Sequence, residues 1–424
     1  MTYTAEESRS LRVFAPALVL LVFAFLINYI DRGNISVAGP LVQKEFQLSD
    51  SELGVLFAAF FCTYTAMQFL IGWLVDRFSP STILAAGFLV WSVATVATGL
   101  VRGFALLLAV RFILGVGESV ALPTGSKILA QHLPEHYRGF ASGALMSALR
   151  VGNAVGTFGA GLLMAKYGWR PVFIDVGMAS LVWLPLWAHW KPHDAVIHSQ
   201  DREKYRARLT DIVMHRSFWG TSAGHFASNY LFYFMITWLP SYLVRERHLS
   251  MSTMSGIAGL YYSVDAIGAI AGGWLQDWGI RKGYAATLVR KSAMAVGFGL
   301  AAIAVPACAL SGSSSYLIFL LIAGIGCGLT GPGLYTFPQT LAGSQAVGKW
   351  YGTQNGLANF AGIVGPSLTG FVLDYTKSFV APFAITASVC VGGIVAWVFL
   401  VGRVEPVQWK PRHERSVVAA DAGA

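Results

Sequence analysis

Charged residues are scarce in this sequence. Asp, Glu, Lys and Arg make up 12% of the 424 residues, about half the share found in an ordinary soluble domain, whereas 55% are hydrophobic. The mean hydropathy is +0.57. This composition excludes a water-soluble globular domain and is typical of a chain that lies largely within a lipid bilayer.

The sequence has few cysteines, and it lacks metal-binding cysteine motifs and convincing nucleotide-binding motifs. The four cysteines fall in apolar runs without CxxC spacing, which predicts small buried side chains and no metal ligands. Residues 326–331 match GxGxxG, but they lie inside an apolar run with no strand before it, and residues 343–350 lack the Ser or Thr of a Walker motif. We therefore expect no enzyme activity, no metal and no cofactor.

Long apolar runs are what the sequence has in abundance. About twelve of them are long enough to cross a bilayer as helices, which need roughly 20 residues each. The first run is too long for a cleaved signal, and no small-residue cleavage site follows it, so it is expected in the mature protein. The predicted spans lie near residues 13–38, 53–75, 82–101, 104–130, 139–166, 170–190, 217–244, 253–276, 287–310, 315–340, 352–373 and 380–402.

The basic residues predict the orientation of the chain. The formal net charge of +9 would suit nucleic acid, but the bases stand in loops between apolar runs, so no nucleic-acid partner is expected. Loops of one parity, together with the polar segment 191–216, hold many of them. By the positive-inside rule those loops and both termini are cytoplasmic, in a multi-pass protein of the cell inner (plasma) membrane.

The chain divides into two similar halves. Residues 72–77 (GWLVDR) are echoed at an offset of 201 by residues 273–278 (GWLQDW), and residues 139–143 match residues 352–356 at an offset of 213. Two six-helix repeats are typical of transporters, because two like bundles can rock about a site held between them. The predicted domains are residues 1–190 (first bundle), 191–216 (cytoplasmic linker), 217–402 (second bundle) and 403–424 (cytoplasmic tail).

These motifs carry a family resemblance over nearly the whole chain. GWLVDRF with its copy GWLQDWG resembles the signature loop of the major facilitator superfamily, and residues 111–118 (RFILGVGE) resemble its R-x-x-x-G-x-x-E helix motif. Residues 29–32 (YIDR), 168–170 (GWR), 238–242 (WLPSY) and 359–366 (NFAGIVGP) look like the anion:cation symporters, which include sugar-acid:proton symporters.

The resemblance implies an all-α membrane fold of twelve helices in two pseudo-symmetric bundles. It also implies a gating role for three charged residues of the signature loops, Asp76, Arg77 and Asp277. The first loop departs from the family pattern, since residues 78–81 (FSPS) stand where glycine and basic residues usually follow. A weaker cytoplasmic latch is expected from this difference.

Asp31 and Arg32 are adjacent charges in a long uncharged stretch. On a helix their side chains point about 100° apart, so they do not form a simple ion pair. A charged helix end at the lipid headgroups is one interpretation. The other is function, because the uncharged sequence could continue the helix beyond Gly33 and charges inside a span are costly.

Arg111 and Glu118 are seven residues apart and share one face of the fourth predicted helix, roughly 10 Å apart. A structural Arg–Glu network is one reading. The other uses their chemistry: a guanidinium fork matches a carboxylate, and a membrane-embedded Glu is suited to carrying a proton.

The candidate site collects the polar residues of otherwise apolar helices. The predicted substrate-binding residues are Arg32, Arg111, Tyr29, Tyr64, Asn355 and Asn359, and the predicted proton-coupling residues are Asp31 and Glu118. Tyr29, Tyr64, Asn355 and Asn359 could also serve packing alone. His225, Asn229 and Asp265 could also reach a cavity, although a hydrogen bond between helices is the other interpretation for His225. Arg150 could face a cavity or the cytoplasm.

The pattern as a whole predicts a monomeric secondary transporter. Its partners would be protons, the lipid bilayer and a small organic anion, either a sugar acid or another carboxylate, moved by alternating access. An uncoupled uniporter or exchanger of the same fold, a multidrug exporter and a nutrient receptor are the alternatives. Intramembrane arginines argue against cationic drugs, and the short tail argues against a signalling receptor.

Overall fold

The computed structural model describes residues 5–133, 135–192, 209–312 and 315–409. Within these ranges, the side chains of residues 5–13, 69, 76, 135–140 and 344–345 are not described. Residues 193–208 of the predicted linker and residues 410–424 of the predicted tail lie outside the described part. The domain boundaries therefore stay a prediction.

The described residues of the first half of the chain form eight helices. They are α1 (Ala5–Phe46), α2 (Asp50–Arg77), α3 (Pro80–Leu100), α4 (Phe104–Glu118), α5 (Ala121–His132), α6 (Glu135–Tyr167), α7 (Trp169–Leu181) and α8 (Trp183–Trp190). The pairs α4/α5 and α7/α8 are each separated by one or two residues, so each pair makes one span with a local break.

The second half repeats this arrangement. Its helices are α9 (Leu209–Val213), α10 (Arg216–Arg245), α11 (Met251–Arg281), α12 (Ala286–Leu310), α13 (Tyr316–Thr330), α14 (Gly333–Asn359), α15 (Ala361–Thr376) and α16 (Val380–Val395), which a π-helical turn (Ala396–Leu400) continues. Gly343 interrupts α14 with φ of 63°, a left-handed conformation that glycine adopts readily. The first part of α14 therefore extends α13, and the second part leads into α15.

The described residues contain ten helical segments that are long and apolar enough to cross a membrane. The more polar helices α6 and α10, with 33 and 30 residues, are long enough to be the other two spans. Large hydrophobic side chains such as Ile270 and Ile303 are 68% and 72% exposed on the outside of the bundle, as expected for a surface that faces lipid. The predicted all-α membrane architecture is confirmed.

Two bundles face each other through a few helices. Helix α1 packs on α10, α6 packs on α11, and α2 packs on α15. Small residues allow these contacts: a Cβ atom on Gly54 of α2 would lie 2.6 Å from the Pro366 carbonyl oxygen of α15, and a Cβ atom on Gly161 of α6 would overlap Ser255 of α11. The functional site lies between these helix pairs.

Candidate functional site

A cavity of about 140 Å³ lies between the two bundles. It is lined from both halves of the chain, as the repeat pattern predicts for a transporter. The polar and aromatic lining residues are Tyr29, Arg32, Tyr64, Arg150 and Asn153 from the first half, and His225, Ser228, Asn229, Phe232, Tyr233, Tyr262, Asp265, Thr330, Tyr335, Tyr351, Asn355 and Asn359 from the second. Five of the six residues predicted to bind substrate are on this wall; Arg111 is not.

Arg32 presents a guanidinium group at the cavity wall. Its Nε and Nη2 atoms donate to the same oxygen, Oε2 of Glu118, over 3.2 and 3.0 Å. Nη1 donates to the Tyr29 hydroxyl over 3.4 Å, and Nη2 also reaches Asn28 Oδ1 at 3.5 Å. The cation is therefore held by a carboxylate of another helix and oriented by its own helix.

Aromatic rings surround the same guanidinium. Its central carbon lies 4.6 Å from the ring centre of Tyr29, 4.9 Å from that of Phe60 and 4.7 Å from that of Tyr64. Rings at this distance attract a cation through their negative faces and limit the motion of the side chain. Arg32 is thus pre-organised, with only 5% of its surface exposed.

Asp31 and Glu118 lie behind Arg32 and do not line the cavity. Both are 1% exposed. Neither oxygen of the Asp31 carboxylate makes a hydrogen bond with the described residues, and its nearest charged groups are those of Glu118 and Arg111. The adjacency argument holds, because Arg32 faces the cavity while Asp31 points away from it. Both residues are buried and lie well inside α1, not at its end.

Arg111 belongs to this buried cluster and is 2% exposed. Its guanidinium carbon lies 5.1 Å from the ring centre of Phe60, on which Arg32 also rests. Its Nε and Nη1 atoms have no hydrogen-bond partner among the described residues. The spacing argument thus placed Arg111 and Glu118 in one region, but substrate contact by Arg111 stays a prediction.

The second half contributes mainly neutral polar groups. Asn359 Oδ1 accepts a hydrogen bond of 2.7 Å from the Tyr233 hydroxyl, and Asn359 Nδ2 donates to the Asn355 carbonyl over 2.9 Å. His225 Nδ1 lies 3.0 Å from Gln354 Nε2, which is the helix–helix hydrogen bond considered for this histidine. These amides and phenols suit a ligand that carries hydroxyl groups.

One ion pair crosses the cavity from half to half. Arg150 of α6 donates through Nη1 to Oδ2 of Asp265 in α11, and both residues line the cavity. Arg150 therefore faces the cavity. The sequence indicated both residues as candidates but did not predict their ion pair. The two residues are 115 positions apart, and helical periodicity does not relate positions that far apart.

The predicted gating residues lie far from this wall. Arg77 is exposed and stacks on Trp73, with 4.5 Å between the guanidinium carbon and the ring centre. Asp277 is exposed, and the side chain of Asp76 lies outside the described part of the structure. Gating by these three residues stays a prediction.

A cluster that the sequence did not indicate joins the halves at the opposite end. Asp50, the first residue of α2, accepts hydrogen bonds from Arg245 of α10 and from Gln43. Asp374 of α15 accepts from the backbone N–H groups of Asp50 and Ser51 over 3.1 and 2.7 Å, so it caps α2 from the other half. We call the end of the bundle with this cluster the sealed end.

Among the described residues no group of His, Cys, Asp and Glu could hold a metal ion. The charged site is thus composed of arginines and carboxylates alone. Buried cations beside a cavity of this size can bind a small anion. Carboxylates next to those cations can take up protons when the anion enters.

Comparison with known proteins finds relatives over nearly the whole chain. A hexuronate transporter of Bacillus subtilis (strain 168) is 30% identical over 416 residues, covering 93% of this chain and 96% of the relative. A probable sulfoacetate transporter of Cupriavidus necator is 31% identical over 401 residues (90% and 92%), and a D-galactonate transporter of Escherichia coli O6:H1 is 26% identical over 417 residues (92% and 96%).

The fold and the family follow from two further matches. A crystal structure of a bacterial homologue of the human lysosomal transporter Spinster, inward-facing and occupied, superposes with a TM-score of 0.75 at 20% identity and covers 92% of this chain and 95% of that one. The model of the Major Facilitator Superfamily matches residues 21–289 and 282–422. This chain is a multi-pass membrane protein that belongs to the major facilitator superfamily.

Proposed function

We propose that this protein is a secondary active transporter, and not an enzyme, that moves a sugar acid together with protons by alternating access. The observation that carries the proposal is the double hydrogen bond from Arg32 at the cavity wall to Glu118 behind it. Relatives named as hexuronate and D-galactonate transporters support a sugar acid as the substrate class.

The coupling follows from competition for one guanidinium. Arg32 directs both Nε and Nη2 to Glu118, and a substrate carboxylate needs the same fork for a bidentate contact. A proton on Glu118 removes its charge and frees the fork for substrate. Release of that proton lets Glu118 reclaim Arg32 and expel the anion. Proton and anion therefore travel together.

Asp31 is the second proton site in this proposal. Its carboxylate has no hydrogen-bond partner among the described residues and lies near Glu118 and Arg111. Arg111 offsets the negative charge of the two acids in a region where an uncompensated charge is costly. Asp31, Glu118 and Arg111 together determine the electrostatic environment of Arg32.

Alternating access is supported by the uneven contact between the halves. The Asp50–Arg245 and Asp374–Ser51 contacts hold the halves together at the sealed end, and the loops with Arg77 and Asp277 are exposed at the other. With the termini in the cytoplasm, the sealed end faces outward and the cavity communicates with the cytoplasm. The proposal places a monomer in the inner membrane.

Uptake into proteoliposomes tests the proposal. A hexuronate or hexonate should accumulate when the pH outside is lower, and an ionophore that collapses the proton gradient should abolish accumulation. Glu118→Gln, which mimics the protonated acid, should lose gradient-driven uptake and keep exchange of labelled for unlabelled substrate. Wild-type uptake that ignores the gradient would mean an uncoupled uniporter or exchanger, and gradient-driven uptake in Glu118→Gln would exclude this coupling mechanism.

A further inference from the structure

The cavity has a second charged position, where Arg150 and Asp265 meet. We infer that Asp265, positioned by Arg150 and assisted by Asn153, is a hydroxyl-binding subsite that selects polyhydroxylated monocarboxylic acids over plain carboxylic acids and over dicarboxylic acids. This inference rests on the proposed function, since it assumes that Arg32 holds the substrate carboxylate.

Two unpartnered oxygen atoms carry the inference. Asp265 is 3% exposed; its Oδ2 accepts from Arg150, while its Oδ1 has no hydrogen-bond partner among the described residues. The weakly donating Cys327 thiol lies beside this carboxylate. Asn153 is 2% exposed, and its Oδ1 is likewise unpartnered. Buried acceptors without donors are rare in proteins, and both residues line the cavity.

Asn153 connects this subsite to Arg32. A Cβ atom on Gly33, the residue after Arg32, would lie 3.2 Å from Asn153 Oδ1. Arg150 precedes Asn153 by three residues on α6, so the ion pair lies about one helical turn further along the same wall. A substrate held by its carboxylate at Arg32 therefore extends past the Asn153 oxygen toward Asp265.

The chemistry of the free atoms defines the ligand. Both are acceptors, so they require donors, and the hydroxyl groups of a sugar acid supply them. A plain carboxylic acid of equal length would leave them unpaired, and sites built to bond a hydroxyl discriminate strongly against such analogues. Asp265 also compensates the charge of Arg150. That end of the cavity therefore offers no free cation to a second carboxylate.

A purely structural pair is the competing explanation, since the contact continues the α6–α11 interface, where Gly161 approaches Ser255. The two explanations predict different binding selectivity. A subsite contributes only to ligands with hydroxyl groups, whereas a structural pair affects every ligand equally. The ratio of two affinities therefore separates them, even where a substitution lowers the amount of folded protein.

The experiment measures competition against a labelled hexonate on purified full-length protein in nanodiscs. The competitors are a hexonate, hexanoate and a hexarate, and the variants are Asn153→Ala and the double variant Arg150→Met/Asp265→Leu, which removes the acceptor without leaving Arg150 uncompensated. Asp175→Asn is the matched control, because Asp175 is exposed on α7 and lines none of the described cavities. We expect the wild type and the control to prefer hexonate over hexanoate by at least tenfold and to bind the hexarate more weakly.

Each outcome has one reading. In Asn153→Ala and Arg150→Met/Asp265→Leu the hexonate/hexanoate preference should fall at least threefold, because hexonate affinity drops and hexanoate affinity does not. Equal losses for both ligands would establish a structural pair and overturn the inference, as would tighter binding of the hexarate or equal wild-type affinities for hexonate and hexanoate. If the wild type binds none of the acids, the proposed function itself fails.

Discussion

Gly54→Ala should open the sealed end. A Cβ atom at this position of α2 would lie 2.6 Å from the Pro366 carbonyl oxygen and 3.2 Å from the Gly370 Cα atom. Both neighbours are backbone atoms of α15, so no side chain can rotate out of the way and the two helices must separate. When the halves are apart at this end, the same methyl group meets nothing.

The size of the effect follows from packing energetics. Overpacking a tight contact costs about 1–3 kcal/mol, and 1.4 kcal/mol changes an equilibrium constant tenfold. The gain in helix propensity from Gly to Ala applies to both conformations and cancels. We therefore expect the ratio of open to closed sealed ends to rise roughly five- to 150-fold.

Accessibility of a buried position at this end provides the assay. Ser241 is 0% exposed, and a Cβ atom on Gly39 would lie 3.5 Å from its hydroxyl oxygen. Ser241→Cys should react faster with an impermeant maleimide applied from the sealed-end side when Gly54 is alanine. The background is the rate for the same protein without the introduced cysteine.

Gly256→Ala is the matched control, because Gly256 lies near the same end in α11 and a Cβ atom there has no neighbour within 4 Å. The control should react at the rate of the parent protein. An unchanged rate for Gly54→Ala, in protein that still binds substrate, would refute the reasoning that the α2–α15 contact closes this end.

Three further outcomes follow from the contacts. Arg32→Lys should weaken substrate binding about ten- to a hundredfold in equilibrium titrations, because lysine keeps the charge but loses the fork, at a cost of about 1.5–3 kcal/mol; an unchanged affinity would remove Arg32 from the site. Asp31→Asn should keep most of that affinity and flatten the pH dependence of proteoliposome uptake; a loss equal to that of Arg32→Lys would show that the two residues act as one structural unit. Asp374→Ala should raise labelling of Ser241→Cys about two- to thirtyfold, since loss of a helix cap costs about 0.5–2 kcal/mol, and no change would exclude the α2 cap as part of the closure.

The spans could be predicted from the sequence because the bilayer imposes length and apolarity on every one of them. The same rule explains why two of the spans are less apolar than the others. Helices α6 and α10 have more polar and small residues, and they bury these against other helices instead of exposing them to lipid. The break of α14 at Gly343 lies in the gap between two predicted spans, residues 315–340 and 352–373, although the sequence alone does not reveal the backbone angles of that glycine.

Whether a site residue could be predicted depended on how unusual its residue type is at that place in the sequence. The charges at Arg32 and Glu118 stand out because a charge inside a membrane span is costly. Each of these residues can therefore be recognised as important from its own position in the sequence. Their hydrogen bond joins positions 86 residues apart and follows only from the packing of α1 on its neighbours. Asp50, Arg245 and Asp374 are at helix ends, where charges are common, so nothing in the sequence distinguished them.

The distribution of charge between the halves has a functional consequence. In the described structure Asp31, Arg32, Arg111 and Glu118 are all in the first half, and the second half meets the cavity with amides and phenols and one acid, Asp265. On the proposed mechanism, energy coupling lies in the first half, whereas recognition of the ligand hydroxyl groups draws mainly on the second half. On that mechanism, substitutions confined to the second half would change ligand preference and leave the proposed proton-coupling residues as they are.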